Sequence, residues 1–244
     1  AADLRVFSER DVVQLPSREL VMADVVGVSR GYEQRRLAAL DELTEAHFAV
    51  ASVQAAAQRT MPPEALKAAI VSLATGETAP LDELTHALTR AGYERCVQVE
   101  GTGQFSIRGG ILDVFPPQAE HPYRVEFWDD EIDSISTFDV GSQRRLEQCE
   151  CLRCLPCMES IPALAKGGAA GLAKAVLALT STRRKKQHAD LQANLERDAE
   201  RLRETGSLPA ADKYMPLIYP EMATAFDYLP ENAIVIIEDT PRLR

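Results

Sequence analysis

The sequence predicts an α/β chain with a small β-rich unit set into its middle, and three observations carry that prediction. Apolar residues recur at helical spacing on both flanks. From Tyr93 to about Pro156 they instead alternate in short runs broken by GTG, RGG, FPPQAEHP and WDDE, the pattern of short strands and tight turns. Each end also carries a strand-like run, LRVF at 4–7 and the buried-type AIVIIED at 233–239.

Taken in order, GYEQRRLAALDELTE (31–45) places Leu37, Leu40 and Leu43 on one helical stripe, and HFAVASV (47–53) reads as a buried strand. The helical run SVQAAAQRT then stops at Met61-Pro62-Pro63, because proline lacks the amide hydrogen a continuing helix needs. PLDELTHALTRAGY (80–93) is bounded by proline at its first turn and Gly92 at its carboxy-terminal cap. After Pro162 come AGLAKAVLALTS and then RRKKQHADLQANLERDAERLRETG (183–206), where Leu191, Leu195, Ala199 and Leu202 form a thin apolar stripe ended by Gly206. Both ends open directly onto strand-like runs, so a piece of a longer protein is expected.

The composition excludes several functions. The formal net charge is −10 over 244 residues, which argues against whole-surface attraction to nucleic acid and leaves only local basic features such as Arg183–Lys186. No apolar run approaches the roughly 18 residues a membrane span needs, and AADLRVFSER lacks the basic-then-apolar order of a signal peptide. Four of the five cysteines crowd into CECLRCLPC (149–157), unlike a spaced extracellular disulfide framework. A soluble, cytoplasmic protein without a membrane partner is expected.

Tests for chemistry return no active site. A phosphate-binding loop needs G-x-x-x-x-G-K-[ST], and no stretch supplies it. GTGQFS has Ser106 where a dinucleotide loop needs its third glycine, and AIVIIEDT can be read either as an acid-ended Mg²⁺ strand, through Glu238 or Asp239, or as a plain buried strand. Cys149, Cys151, Cys154 and Cys157 could suggest zinc, but on one strand alternation puts Cys154 opposite the other three, so the bland alternative is small buried side chains. The four histidines are scattered, and Asp129-Asp130-Glu131 reads as a turn. No catalytic, cofactor-binding or metal residue is assigned.

One strand face stands out. PYRVEFW (122–128) sends Tyr123, Val125 and Phe127 to one side and Arg124, Glu126 and Trp128 to the other. The second side carries the only tryptophan beside an arginine, and both residue types are enriched at binding hot spots. The alternative is that another part of the chain covers it. In SIRGGILDVF (106–115), Arg108 also points outward if Phe105 points in, and a phase break at Gly109-Gly110 would keep Leu112 and Val114 on the core side.

The stretch GYERCVQVEGTGQFSIRGGILDVFPPQAEHPYRVEFWDDEIDSISTFDVGSQR (92–144) resembles domain 2, the interaction domain shared by bacterial transcription-repair coupling factors and the excision-repair protein UvrB. FDVGSQR is more similar to the coupling factors, and the aromatic-rich DNA-gripping hairpin of UvrB is missing. GYEQRRLAALDEL and GSLPAADKYMPLIYPEMATAFDYLPENAIVIIED are similar to the coupling factors' flanks. The resemblance implies partial domain 1a over 1–90, domain 2 over 91–160 and partial domain 1b over 161–244, with 1a and 1b a degenerate helicase-like α/β fold. It implies that domain 2 recruits UvrA through an arginine of the RG step, an arginine of the PYR strand and an aromatic four residues later, here Arg108, Arg124 and Trp128. The family often has Phe at the last position. It further implies that the ATP- and Mg-dependent translocase acting on DNA and stalled RNA polymerase lies in other domains, that this segment holds no cofactor, and that a carboxy-terminal domain masks the docking face until activation. The competing readings are a helicase-like nucleotide-binding fragment and a UvrB-like DNA-binding module using Arg183–Lys186.

Overall fold

A computed structural model describes residues 10–17, 31–181 and 189–238, together with Leu4 and Val6. Helix and sheet are mixed, and the described residues gather around two main cores.

The first core is mostly helical. Helix α1 (Gly31–Glu42) lays Leu37 and Leu40 fully into it, with Leu43 just past its end, as the spacing predicts. The same helix buries Arg36, whose Nη1 donates to the carbonyls of Pro16 (2.8 Å) and Ala55 (3.1 Å), so backbone acceptors are satisfied from inside the core. Strands β1 (Val12–Leu15) and β2 (Phe48–Ala51) pair in parallel, with Val12 facing Phe48. The strand expected at 47–53 is therefore present, but it is largely exposed rather than buried. Parallel strands are buried when helices cover both faces and strands flank both edges. Among the described residues β2 has only β1 beside it.

Ser52 caps α2 (Val53–Ala57), its Oγ accepting from the Ala55 amide at 3.1 Å. That helix stops earlier than expected, at Ala57 with Gln58 extended, so the proline pair does not end it; instead the pair starts the next, with Pro63 at the first position of α3 (Pro63–Ala69), where the missing amide hydrogen costs nothing. Helices α4 (Leu81–Arg90) and α5 (Gly168–Ser181) follow the predicted boundaries closely, and α6 (Ala189–Thr205) ends where predicted, while its expected start at 183 lies outside the described residues. Gly92 closes α4 with φ 90° and Gly206 closes α6 with φ 68°, left-handed positions that favour glycine. Leu195, Ala199 and Leu202 bury along α6, whereas Leu191 at its start stays exposed. Residues Leu172, Val176, Tyr214 and Tyr228 complete this core.

The second core lies under a six-stranded sheet. Its strands are β4 (Glu94–Arg95), β5 (Gln104–Arg108), β6 (Ile111–Val114), β7 (Tyr123–Trp128), β8 (Glu131–Phe138) and β9 (Arg145–Cys149), lying side by side in that order. All neighbours are antiparallel except β4 and β5. Phe105, Leu112, Val114, Val125 and Ile135 cover the inner face and pack with Leu84 and Leu88 of α4. From β9 the chain passes through Glu150 into β10 (Cys151–Cys154), which pairs antiparallel with β3 (Val71–Ala74). Leu73, Leu84 and Leu88 thus share a core with the β-rich middle although they precede residue 91.

Two expected strands are not formed. Leu4 and Val6, the residues of LRVF that are described, are helical. Residues 233–238 are irregular and exposed, with Ile234 at 88% and Ile236 at 89%. A β-branched run becomes a strand only when another strand supplies its ladder, and none of the described residues does so. Arg183–Lys186 and Asp239 lie outside the described residues. No helix among the described residues is long and apolar enough to cross a membrane.

A candidate protein-docking face

The sequence feature that builds this face is the glycine pair in SIRGGILDVF. Gly109, at φ 59°, and Gly110 form the two-residue connection of a hairpin in which Arg108 faces Ile111, Ile107 faces Leu112, Ser106 faces Asp113 and Phe105 faces Val114. The phase break is therefore a tight turn rather than a bulge. Residues paired across a hairpin share a face, so Phe105, Leu112 and Val114 go to the core and Ser106, Arg108 and Asp113 to the outside. Gly110 is also needed for room: a Cβ there would sit 3.0 Å from the Phe127 carbonyl oxygen, which belongs to the adjoining strand. The Phe127 amide donates to the Gly110 carbonyl at 2.8 Å.

Strand β7 continues the outer face with Arg124, Glu126 and Trp128, as the alternation predicts. Arg124 stands directly opposite Asp113 on β6 and Ser136 on β8. A register shift in the β7–β8 pair between Glu126 and Phe127 precedes the Asp129-Asp130 turn, and there Trp128 projects into solvent at 82% exposure.

Asp113, absent from the sequence-derived set, organises the face. Its side chain is only 2% exposed. Its Oδ1 accepts from Arg124 Nε at 2.7 Å, and its Oδ2 accepts from Arg124 Nη2 at 2.8 Å and from Arg108 Nη2 at 2.9 Å. The bidentate bond to Arg124 is the planar fork-to-carboxylate match that arginine alone provides. Arg124 Nη2 also reaches Gln143 Oε1 at 3.2 Å, and its guanidinium carbon lies 4.4 Å from the centre of the Phe138 ring. Phe138 belongs with Val99 and Phe115 to a third, small core on this side of the sheet. Hydrogen bonding to Asp113 raises the Arg124 pKa further above its ordinary value, so the group is a permanent cation.

A second ion pair lies beside the first. Arg145 Nη2 donates to Glu126 Oε1 at 2.6 Å and the Ser134 hydroxyl donates to Glu126 Oε2 at 3.0 Å. These bonds hold the Glu126 carboxyl below its ordinary pKa. The two arginines differ in availability: the Arg108 side chain is 50% exposed, that of Arg124 only 18%. Sequence reasoning expected Arg108, Arg124 and Trp128 on one outer face, where the structure places them, and did not single out Asp113. An acid between two core residues in ILDV was the available signal.

The cysteines do not converge. Cys154 and Cys157 are buried beside Tyr93 in the second core, Cys149 is partly buried and Cys151 exposed. Burial alongside Cys154 separates Cys157 from the face predicted for it, because it lies beyond the end of β10. Among the described residues no group of three or more His, Cys, Asp and Glu side chains could hold a metal ion. A cleft at the end of β1, lined by Arg10, Asp11, Glu42, Glu45 and His47, is built by other elements.

A sheet sealed on one face by its core, with fixed arginines and a protruding tryptophan on the other, has the make-up of an interaction domain. Residues 71–159 match the family model of the UvrB interaction domain. Nearly the whole chain is similar to transcription-repair-coupling factors: it is 33% identical to that of Bacillus subtilis over 98% of this chain and 21% of the relative. The corresponding figures are 29%, 96% and 20% for Haemophilus influenzae, and 30%, 96% and 20% for Escherichia coli. These similarities support a transcription-repair coupling factor segment, and the chain spans about one fifth of the length of these curated relatives.

Proposed function

We propose that this segment is the UvrA-recruiting module of a transcription-repair coupling factor, acting in nucleotide excision repair coupled to transcription. The observation that carries the reading is the outward set of Arg108, Arg124 and Trp128 on one face of the sheet, within the stretch that matches the UvrB interaction domain. The flanks are read as the degenerate helicase-like domains 1a and 1b around domain 2, and packing of Leu73, Leu84 and Leu88 favours drawing the interaction unit from about residue 71. The segment itself works by binding, in the bacterial cytoplasm and without a cofactor. ATP- and Mg-driven translocation on DNA and displacement of stalled RNA polymerase belong to other domains of the whole protein, one of which masks this face before activation.

The test is affinity for UvrA. Truncating a hot-spot aromatic typically costs about 2 kcal/mol or more, roughly a thirtyfold loss. Trp128→Ala and Arg108→Ala should each weaken UvrA binding on that scale by calorimetry, and unchanged affinity in both would refute the assignment.

A further inference from the structure

Arg108 on β5 and Arg124 on β7 are like charges on the two strands that flank β6, and without a counter-charge they would repel and splay. Between them sits one carboxylate that a docking partner cannot touch. Asp113 is paired across the ladder with Arg124 on one side and Ser106 on the other, and it lies diagonally from Arg108 across the β5–β6 hairpin. Its two oxygens receive three arginine N–H bonds of 2.7 to 2.9 Å, and its side chain is 2% exposed.

We infer that Asp113 is a positioning residue for the docking face: a buried carboxylate that locks both arginines into one fan so that Arg108 is presented to an acidic partner surface. This rests on the reading of the face as the UvrA site. The division of labour follows from the bonds. Arg124 turns Nε and Nη2 inward to Asp113, is braced by Gln143 and lies on the Phe138 ring, so most of its fork serves the fold. Arg108 spends one N–H on Asp113 and keeps half its side chain exposed. A carboxylate of the partner would pair with Arg108 in a geometry that the hidden acid has set, while Trp128 enters an apolar socket beside it.

The experiment combines UvrA titrations with nitrogen-15 spectra of the arginine Nε–H groups of the whole chain. In the unsubstituted protein both Nε–H groups should give distinct resonances with the order of rigid backbone; a mobile Arg124 group overturns the proposal without any variant, even if Asp113→Asn fails to fold. In Asp113→Asn, the Arg124 resonance should move toward the position of an unrestrained arginine and UvrA affinity should fall about tenfold, the scale of losing charge-assisted bonds. In an Arg108→Ala background the same Asp113→Asn change should cost threefold or less, because the presented group is gone. Equal losses in both backgrounds would mean a general structural effect and would overturn the positioning role. So would unchanged affinity in Asp113→Asn while Trp128→Ala still weakens binding. If Trp128→Ala and Arg108→Ala are both silent, the docking assignment itself fails instead.

Discussion

Arg124 lies over Phe138 with its guanidinium carbon 4.4 Å from the ring centre, while its other edge forks onto Asp113. Both contacts depend on a planar, delocalised cation, so lysine is no conservative replacement. Arg124→Lys should keep the charge, weaken UvrA binding about tenfold and lower the melting temperature. Calorimetry and a thermal melt on the same sample check both parts.

Burial separates the five thiols. The Cys154 pKa is pushed up to about 12 by burial, so at pH 8 almost no thiolate is present there, and Cys157 is buried beside it. Iodoacetamide under native conditions should modify Cys151 first, Cys96 and Cys149 more slowly, and Cys154 and Cys157 only after denaturant is added. Peptide mapping by mass spectrometry reads that order.

Acid should weaken the fold through specific carboxylates. Glu126 is held below its ordinary value of 4.5 chiefly by its bond to Arg145, and Asp227 below 3.8 by the Thr224 amide and hydroxyl of its capping box. Each binds its proton more weakly folded than unfolded. Their contribution is therefore complete above the unfolded value and is lost as pH falls through the folded one. Melting temperatures of Glu126→Gln and the parent should differ at pH 7 and converge as the pH falls through the depressed value of the folded carboxyl, since a protonated Glu126 resembles the amide.

The first core offers a control remote from the docking face in sequence and packing. Tyr228 donates its buried hydroxyl to the Met61 carbonyl at 2.9 Å, next to the Thr60–Ala223 bridge that ties the same two segments. Tyr228→Phe should cost about 1 kcal/mol of stability, the usual net worth of one hydrogen bond with its acceptor left unpaired. Denaturant melts should show that loss, and UvrA affinity should stay within twofold.

What the sequence made legible was what repeats locally. Period-two alternation in PYRVEFW named the outward Arg124 and Trp128, and the glycine pair in SIRGGILDVF fixed the side of Arg108, because both signals act within a few residues. The role of Asp113 was hidden for the opposite reason. Its partners lie 5 and 11 residues away on two other strands, and only the register brings them to one carboxylate. Strand β3 escaped notice because its four residues follow α3 directly and find their partner at 151–154. The run 233–238 misled for the same nonlocal reason, since apolar composition states a capacity to pair and not the presence of a mate.

The hidden acid also bears on how fast and how firmly a partner would bind. Two long, flexible side chains normally lose rotational freedom when they are caught at an interface, and that entropy is charged against the affinity. Here Asp113 and Phe138 have taken most of it already, during folding. Encounter then meets a surface that needs little rearrangement, and loosening Asp113 should show mainly as faster dissociation rather than slower association.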